Sequence, residues 1–202
     1  MRPAREHSTK NAQTYMITSL TWGRRALFSR EVWAKLMIET LYHYRGTAYS
    51  LHEFVVIPDH IHALLTPKAS LEKAVQFIKG GFSYRAKKEL GSNMEVWQKG
   101  FSDHRVRDAS DYELHQIYIW QNPVRRNLCA KAVEYPYSSA TPGVVLDPAP
   151  PGLKPLDLGE PRTARLEGAP FQNNTQHRAP EGAPQNKISS QRSLPPAKNR
   201  TA

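Results

Sequence analysis

The sequence predicts an α+β fold, a ferredoxin-like split βαβ sandwich with an antiparallel sheet and helices packed on one face, followed by a disordered C-terminal tail. Three observations lead there. Apolar periodicity runs in the order strand, helix, strand, strand, helix, strand, which closes into one antiparallel sheet and leaves the other sheet face for a ligand. Nothing repeats at a fixed period, which excludes solenoids and propellers. Composition shifts after Gly143: ten of the sixteen prolines follow it, in a stretch without Trp or Tyr whose only aromatic residue is Phe171. Such a stretch cannot bury enough apolar area to offset its ordering entropy, so 144–202 is expected to be disordered and 10–143 to form the domain. On that division, deleting 144–202 should leave stability nearly unchanged.

Residues 14–22 read as the first strand. Ser29 can cap a helix to about Arg45, along which Trp33, Leu36, Met37, Leu41 and Tyr44 recur at helical spacing. Leu51 to Ile57 and Ile61 to Leu65 read as strands joined around Pro58-Asp59. Ser70 can cap a second helix with Leu71, Val75, Ile78 and Phe82 on one face. Gly80-Gly81 inside it marks a kink, a close backbone approach to a ligand, or simple helix packing. A fourth strand near His104 to Arg107 leads to Ser110, which can cap a third helix to about Gln121.

Charge narrows the function class. Lys and Arg number 28 against 18 Asp and Glu, a net +10, which suits a polyanionic partner such as nucleic acid or an anionic membrane. The first 143 residues hold 20 of those cations against 13 acids, so the domain is itself basic. No apolar run reaches membrane-spanning length and residues 1–10 are polar, so a soluble cytoplasmic chain is expected. The one cysteine, Cys129, leaves no intrachain disulfide and no cysteine zinc site, and reads as a small core residue.

Two local patterns can carry chemistry. In Pro58-Asp59-His60-Ile61-His62 the two histidines are two apart on a strand and share a face. Paired imidazoles suit a divalent metal but are too few to hold it alone, and two surface histidines are the plainer reading. In Tyr118-Ile119-Trp120-Gln121-Asn122-Pro123 a phenol and an amide lie four apart on one helix face, with Gln121 a less aligned alternative to Asn122. Here the plainer reading is a core tyrosine, with Asn122 capping a short helix that begins at Pro123.

Taken in order, Val55-Val56-Ile57-Pro58-Asp59-His60-Ile61-His62, Phe77-Ile78-Lys79-Gly80, Val96-Trp97-Gln98, Arg105-Val106-Arg107-Asp108, Tyr118 to Val124 and Tyr135-Pro136-Tyr137-Ser138-Ser139 resemble the single-tyrosine transposases of the HUH superfamily. Within it they are most similar to the REP-associated tyrosine transposases. The resemblance spans nearly all of 14–140 and implies a divalent metal, Mg or Mn, held by His60, His62 and Asn122, with Tyr118 as nucleophile. It also implies single-stranded DNA with hairpin or palindromic structure as partner, nucleoid association, and a monomer or a homodimer. Asp59 stands where the family often has Asn. Insertion-sequence relatives usually place Gln at the position of Asn122, whereas the REP-associated branch has Asn-Pro.

A neutral phenol is a weak nucleophile at neutral pH, so attack on phosphorus needs the metal as Lewis acid; the 3′ hydroxyl then leaves and a 5′ phosphotyrosine remains. Lys79, Arg85, Lys87, Arg105, Arg107 and Arg125 are the candidate phosphate contacts, although a solvated surface charge is the commoner fate of any one of them. Two rival readings stand beside this one. A non-catalytic nucleic-acid-binding module would use the basic surface and exposed aromatics such as Trp120 for stacking. A metal-dependent hydrolase would use His60 and His62 with activated water and would not need Tyr118.

Overall fold

The computed structural model describes residues 13–153, and the elements follow the expected order. They are β1 (Tyr15–Leu20), α1 (Glu31–Tyr44), β2 (Tyr49–Ile57), β3 (His60–Pro67), α2 (Leu71–Leu90), β4 (Ser102–Arg105) and α3 (Ala109–Arg125). The sheet is antiparallel throughout in the order β2-β3-β1-β4, the split βαβ arrangement. Among the described residues no helix is long and apolar enough to cross a membrane.

Alternation along the strands sorts the sheet into two faces. Ile17, Ile61, Ala63 and Leu65 enter one core with Trp33, Met37 and Leu41 of α1 and Ile78 and Phe82 of α2. Leu64, Val55 and Ile57 enter a second core with Tyr112, Ile119 and Trp120 of α3. α1 and α2 therefore cover one face, as expected. α3 lies across the other, so the face expected to be open to a ligand is roofed in part by the helix that carries Tyr118.

β2 changes faces midway through a β-bulge. Leu51 pairs with Leu65 but Glu53 pairs with Leu64, leaving His52 as the extra residue. Leu51 thus packs under α1 and α2, while Glu53 turns toward α3 and is 1% exposed. Simple alternation puts Leu51 and Glu53 on one face, so only the pairing register reveals the switch.

The helix ends differ from the expected caps in two places. Ser70 caps α2 by accepting from the amide of Lys73, as expected. Asp108 caps α3 instead of Ser110, accepting from the amide of Asp111 at 2.9 Å. Ser29 belongs to a short 3-10 turn, and α1 starts after Arg30 without a side-chain cap. α3 runs through Pro123 to Arg125, so Asn122 lies within this helix and does not cap another. Pro123 has no N–H to give the carbonyl four residues back, so α3 lacks that bond in its last turn.

Gly81 settles the meaning of the glycine pair. A Cβ at Gly81 would sit 2.3 Å from the Tyr44 ring of α1, whereas one at Gly80 would meet nothing within 4 Å. Gly81 is a helix-packing contact, and Gly80 faces open space. Gly81→Ala is expected to destabilise by about 1–3 kcal/mol through overpacking, and Gly80→Ala to stabilise by about 0.5–1 kcal/mol through helix propensity. Urea melts of the two variants check the opposite signs.

The expected boundary at residue 143 moves to at least Leu153. Val144 and Leu146 pack on the first core, and Ala149 and Leu153 on the second. Asp147 ties this segment down: Oδ1 pairs with Arg45 at 3.0 Å, Oδ2 accepts from the amide of Leu51 at 2.8 Å, and its own amide donates to the Leu51 carbonyl. Residues 154–202, the rest of the expected tail, lie outside the described residues. A chain ending at Gly143 is expected to melt several degrees below one ending at Leu153, because it loses these contacts. Thermal melts of the two truncations check this, and they replace the expectation that everything after 143 is dispensable.

Candidate active site

The site forms where α3 crosses the middle of the sheet. In the β1–β3 ladder Leu20 lies opposite His60 and Thr18 opposite His62, so both imidazoles project to the α3 side. Each histidine is 3% exposed. Their Nε2 atoms are 3.1 Å apart. Two ligands at right angles on one ion, with bonds of roughly 2.1 Å, stand about 3 Å apart. The pair is therefore already spaced for a shared cation.

The outer nitrogens are held from behind. His60 Nδ1 donates to Asp59 Oδ1 at 2.6 Å, and His62 Nδ1 shares a hydrogen bond of 2.8 Å with Thr18 Oγ1. The carboxylate fixes the proton of His60 on Nδ1 and leaves its Nε2 lone pair facing His62. Burial pulls the pKa of His60 down to about 4, with Asp59 opposing only in part, so the ring is neutral at neutral pH. A neutral imidazole is the form that ligates a metal.

Asp59 is itself braced. Burial opposes its ionisation, yet His60, Arg24 and Arg126 together hold its carboxyl below the usual range. Arg24 Nε reaches Oδ2 at 3.1 Å and Arg126 reaches Oδ1 at 3.4 Å. Arg24 follows Gly23 in a turn where both take positive φ, 60° and 54°, and this turn carries the guanidinium back over the β2–β3 hairpin. The Asp59 carbonyl accepts from the amide and hydroxyl of Thr21, clamping the hairpin to the end of β1.

α3 supplies the remaining groups. The half-buried Tyr118 ring stands edge-on to His62, centroids 5.2 Å apart, and the Arg125 guanidinium carbon lies 5.4 Å from the Tyr118 centroid. One turn further, Asn122 is 5% exposed, and its buried Oδ1 has no hydrogen-bond partner among the described residues. A buried carbonyl oxygen without a donor is costly, and a cation would satisfy it. The donor set of two imidazoles and one amide oxygen thus fits a divalent ion.

Placement of the other expected residues is uneven. Lys79, Arg85 and Lys87 lie on α2, beyond the opposite face of the sheet from the histidines. Lys79 donates to the carbonyls of Gln98 and Gly100 at 2.7 and 2.6 Å, and burial lowers its pKa, so it anchors a loop. Arg85 is neutralised by Glu39 and Glu89, each at 2.7 Å. Arg105 and Arg107 flank the β4–α3 connection, Arg107 pairing with Asp111 at 3.1 Å. Arg125 adjoins the site. Trp120, expected as an exposed stacking surface, is 3% exposed and donates its indole N–H to Glu53 at 2.8 Å. The binding-module reading therefore loses the aromatic it named; Trp22, in the turn that follows β1, is 46% exposed. Neutralising Lys79 or Arg85 is now expected to leave the salt dependence of DNA binding unchanged, while Arg125→Ala lowers its log–log slope by about one. Fluorescence anisotropy across a salt series checks this.

A family model described as "Transposase IS200 like" matches residues 9–122, more than half of the sequence, and the chain belongs to this family. It is similar to the REP-associated tyrosine transposase of Escherichia coli K12, at 27% identity over 116 residues covering 56% of this chain and 64% of that one. It is also similar to a putative REP-associated tyrosine transposase of Haemophilus influenzae, at 31% identity over 96 residues covering 42% and 54%. The matches therefore span less than two thirds of the length of each relative. A solved structure of a REP-associated tyrosine transposase bound to a REP hairpin shares the fold, with TM-score 0.54 and 24% identity, covering 68% of this chain and 82% of that one.

Proposed function

We propose that this chain cuts and rejoins single-stranded DNA at hairpin or palindromic sites by a metal-dependent transesterification through Tyr118. The observation that carries the reading is the Tyr118 ring set 5.2 Å from His62, beside two Nε2 atoms 3.1 Å apart. Family membership, and the hairpin bound by the related solved structure, support this partner class.

His60, His62 and Asn122 would hold Mg or Mn, which when bound supplies Lewis-acid polarisation of the scissile phosphate. Asp59 keeps His60 in the tautomer that presents Nε2, and Thr18 accepts or donates as His62 requires. The Tyr118 oxygen attacks phosphorus, the bond to the 3′ oxygen breaks, and the 3′ hydroxyl leaves while a 5′ phosphotyrosine forms. A phosphodiester is exchanged for another phosphoester, so a second 3′ hydroxyl can reverse the step without ATP. Arg125, against the Tyr118 ring, places positive charge beside the phosphate as it becomes attached.

The test is a labelled single-stranded hairpin incubated with the protein and Mn. A species that survives denaturing electrophoresis and maps to Tyr118 is the expected result. Free 5′ phosphate ends without an adduct would instead identify a metal hydrolase, and binding with no cleavage a non-catalytic module. An adduct on Tyr112 is not expected, since that residue is 2% exposed.

A further inference from the structure

Outside this site, His104 of β4 and Asp111 and His115 of α3 bring three ligand-capable atoms within 4.8 Å of one another. Asp111 and His115 are four apart on one helix face, and the His104 and His115 rings lie 4.4 Å centroid to centroid. We propose that these three residues form a second divalent-cation site, suited to Zn and similar transition ions over Mg, that ties the edge strand β4 to the first turns of α3.

The hydrogen bonds leave room for such an ion. Asp111 Oδ2 is filled by His104 Nε2 at 3.0 Å and by the amide and Nε of Arg107, both at 3.1 Å. Among the described residues Oδ1 faces His115 Nδ1 at 3.9 Å, beyond hydrogen-bond range. His115 Nε2 is buried and has no partner among the described residues. Neither nitrogen of this largely buried imidazole is therefore hydrogen-bonded, which is costly for a ring in a polar cluster and is relieved when one nitrogen ligates. Burial lowers the pKa of His115, so the ring offers a lone pair at neutral pH. Burial works against the charge of Asp111, but bonds from His104 and Arg107 hold its carboxyl at about 2, so it stays anionic.

Two imidazoles and one carboxylate select for Zn, Co, Ni or Fe over Mg, which prefers oxygen and retains its water. Ligands of a tetrahedral Zn stand about 3.3 Å apart, so the cluster must contract modestly. The His104 side chain is 47% exposed at the sheet edge and the Arg107 side chain 72%, so both can adjust without disturbing the core. The proposal does not depend on metal at His60 and His62.

The test titrates the full chain with Co(II), followed by visible d–d absorption, alongside His104→Ala and the double variant His60→Ala/His62→Ala. His104→Ala is chosen because His104 is exposed. The parent and the double variant are expected to share one bound equivalent that His104→Ala loses, with affinity at that site falling at least about 100-fold. Zn should raise the melting temperature of the double variant, and adding His104→Ala to that variant should remove the rise. Arg107→Ala should tighten binding because it removes a competing cation from Asp111, and excess Mg should not displace Co from the double variant. Unchanged Co binding in His104→Ala, or displacement of Co from the double variant by Mg at comparable concentration, would overturn the proposal. If the double variant fails to fold, the difference in Co stoichiometry between the parent and His104→Ala decides alone. A parent that binds one equivalent, lost only in His104→Ala, would leave this site standing while removing metal from the active-site reading.

Discussion

Tyr118→Phe is expected to abolish the covalent protein–DNA adduct while leaving folding and hairpin affinity close to those of the parent. The substitution removes one oxygen and keeps the ring, so the edge-on contact with His62 and the stacking against Arg125 persist. Stability should change by no more than about 1 kcal/mol, the usual worth of one partly exposed hydrogen bond. Strand cleavage should fall on the order of 10⁴-fold or more, because the other groups of a site built to act as a unit cannot substitute for its nucleophile. Denaturing electrophoresis with labelled DNA, paired with anisotropy, separates the two effects. Cleavage that continues undiminished in the Phe variant would assign the chemistry to activated water.

Glu53→Ala is expected to have the largest effect on stability. The Glu53 carboxylate is 1% exposed and accepts from Gln116 Nε2 at 2.5 Å, Trp120 Nε1 at 2.8 Å and Ser139 Oγ at 2.6 Å. It joins β2 to α3 and to the 135–139 segment, whose Tyr137 carbonyl and Ser139 amide bond to the edge of β2. Truncation takes this acceptor from the buried Trp120 indole N–H and the half-buried Gln116 amide, leaves Ser139 Oγ only the Phe54 carbonyl, and opens a cavity, at a cost of about 3–5 kcal/mol. Glu53→Gln keeps the volume and one acceptor oxygen and should lose less. Urea denaturation ranks the three proteins. Since α3 carries Tyr118 and Asn122, cleavage should also fall in Glu53→Ala under conditions where it remains folded, whereas Tyr118→Phe loses cleavage with stability intact.

Those two residues also show how far the sequence could be read. That His60 and His62 share a face, and that Tyr118 and Asn122 share another, was legible because each lies in a regular element, where spacing alone decides which side chains align. The Ser70 cap and the order of strands and helices were legible for the same reason. Glu53 was not: its role depends on the bulge at His52 and on α3 lying over the second face of the sheet, both set by long-range pairing. Arg24 and Arg126 were missed because they converge on Asp59 from two chain regions that are joined only in the fold. Lys79 looked like a surface cation on a helix until the loop at Gln98 and Gly100 was placed around it. Residues 144–153 were misjudged because proline content marked them as unable to order, whereas Asp147, Val144 and Leu146 give them specific partners on the domain.

The pairing of Thr18 with His62 and of Leu20 with His60 makes the site a proofreader of its own folding. A slip of β3 by one position would rotate both imidazoles into the layer beneath α1 and α2 and turn Ile61 and Ala63 toward α3. Such a molecule would bury two unsatisfied rings and present a greasy, inert surface to DNA. The two imidazoles therefore meet on the α3 side only in chains whose strands have paired in the native register.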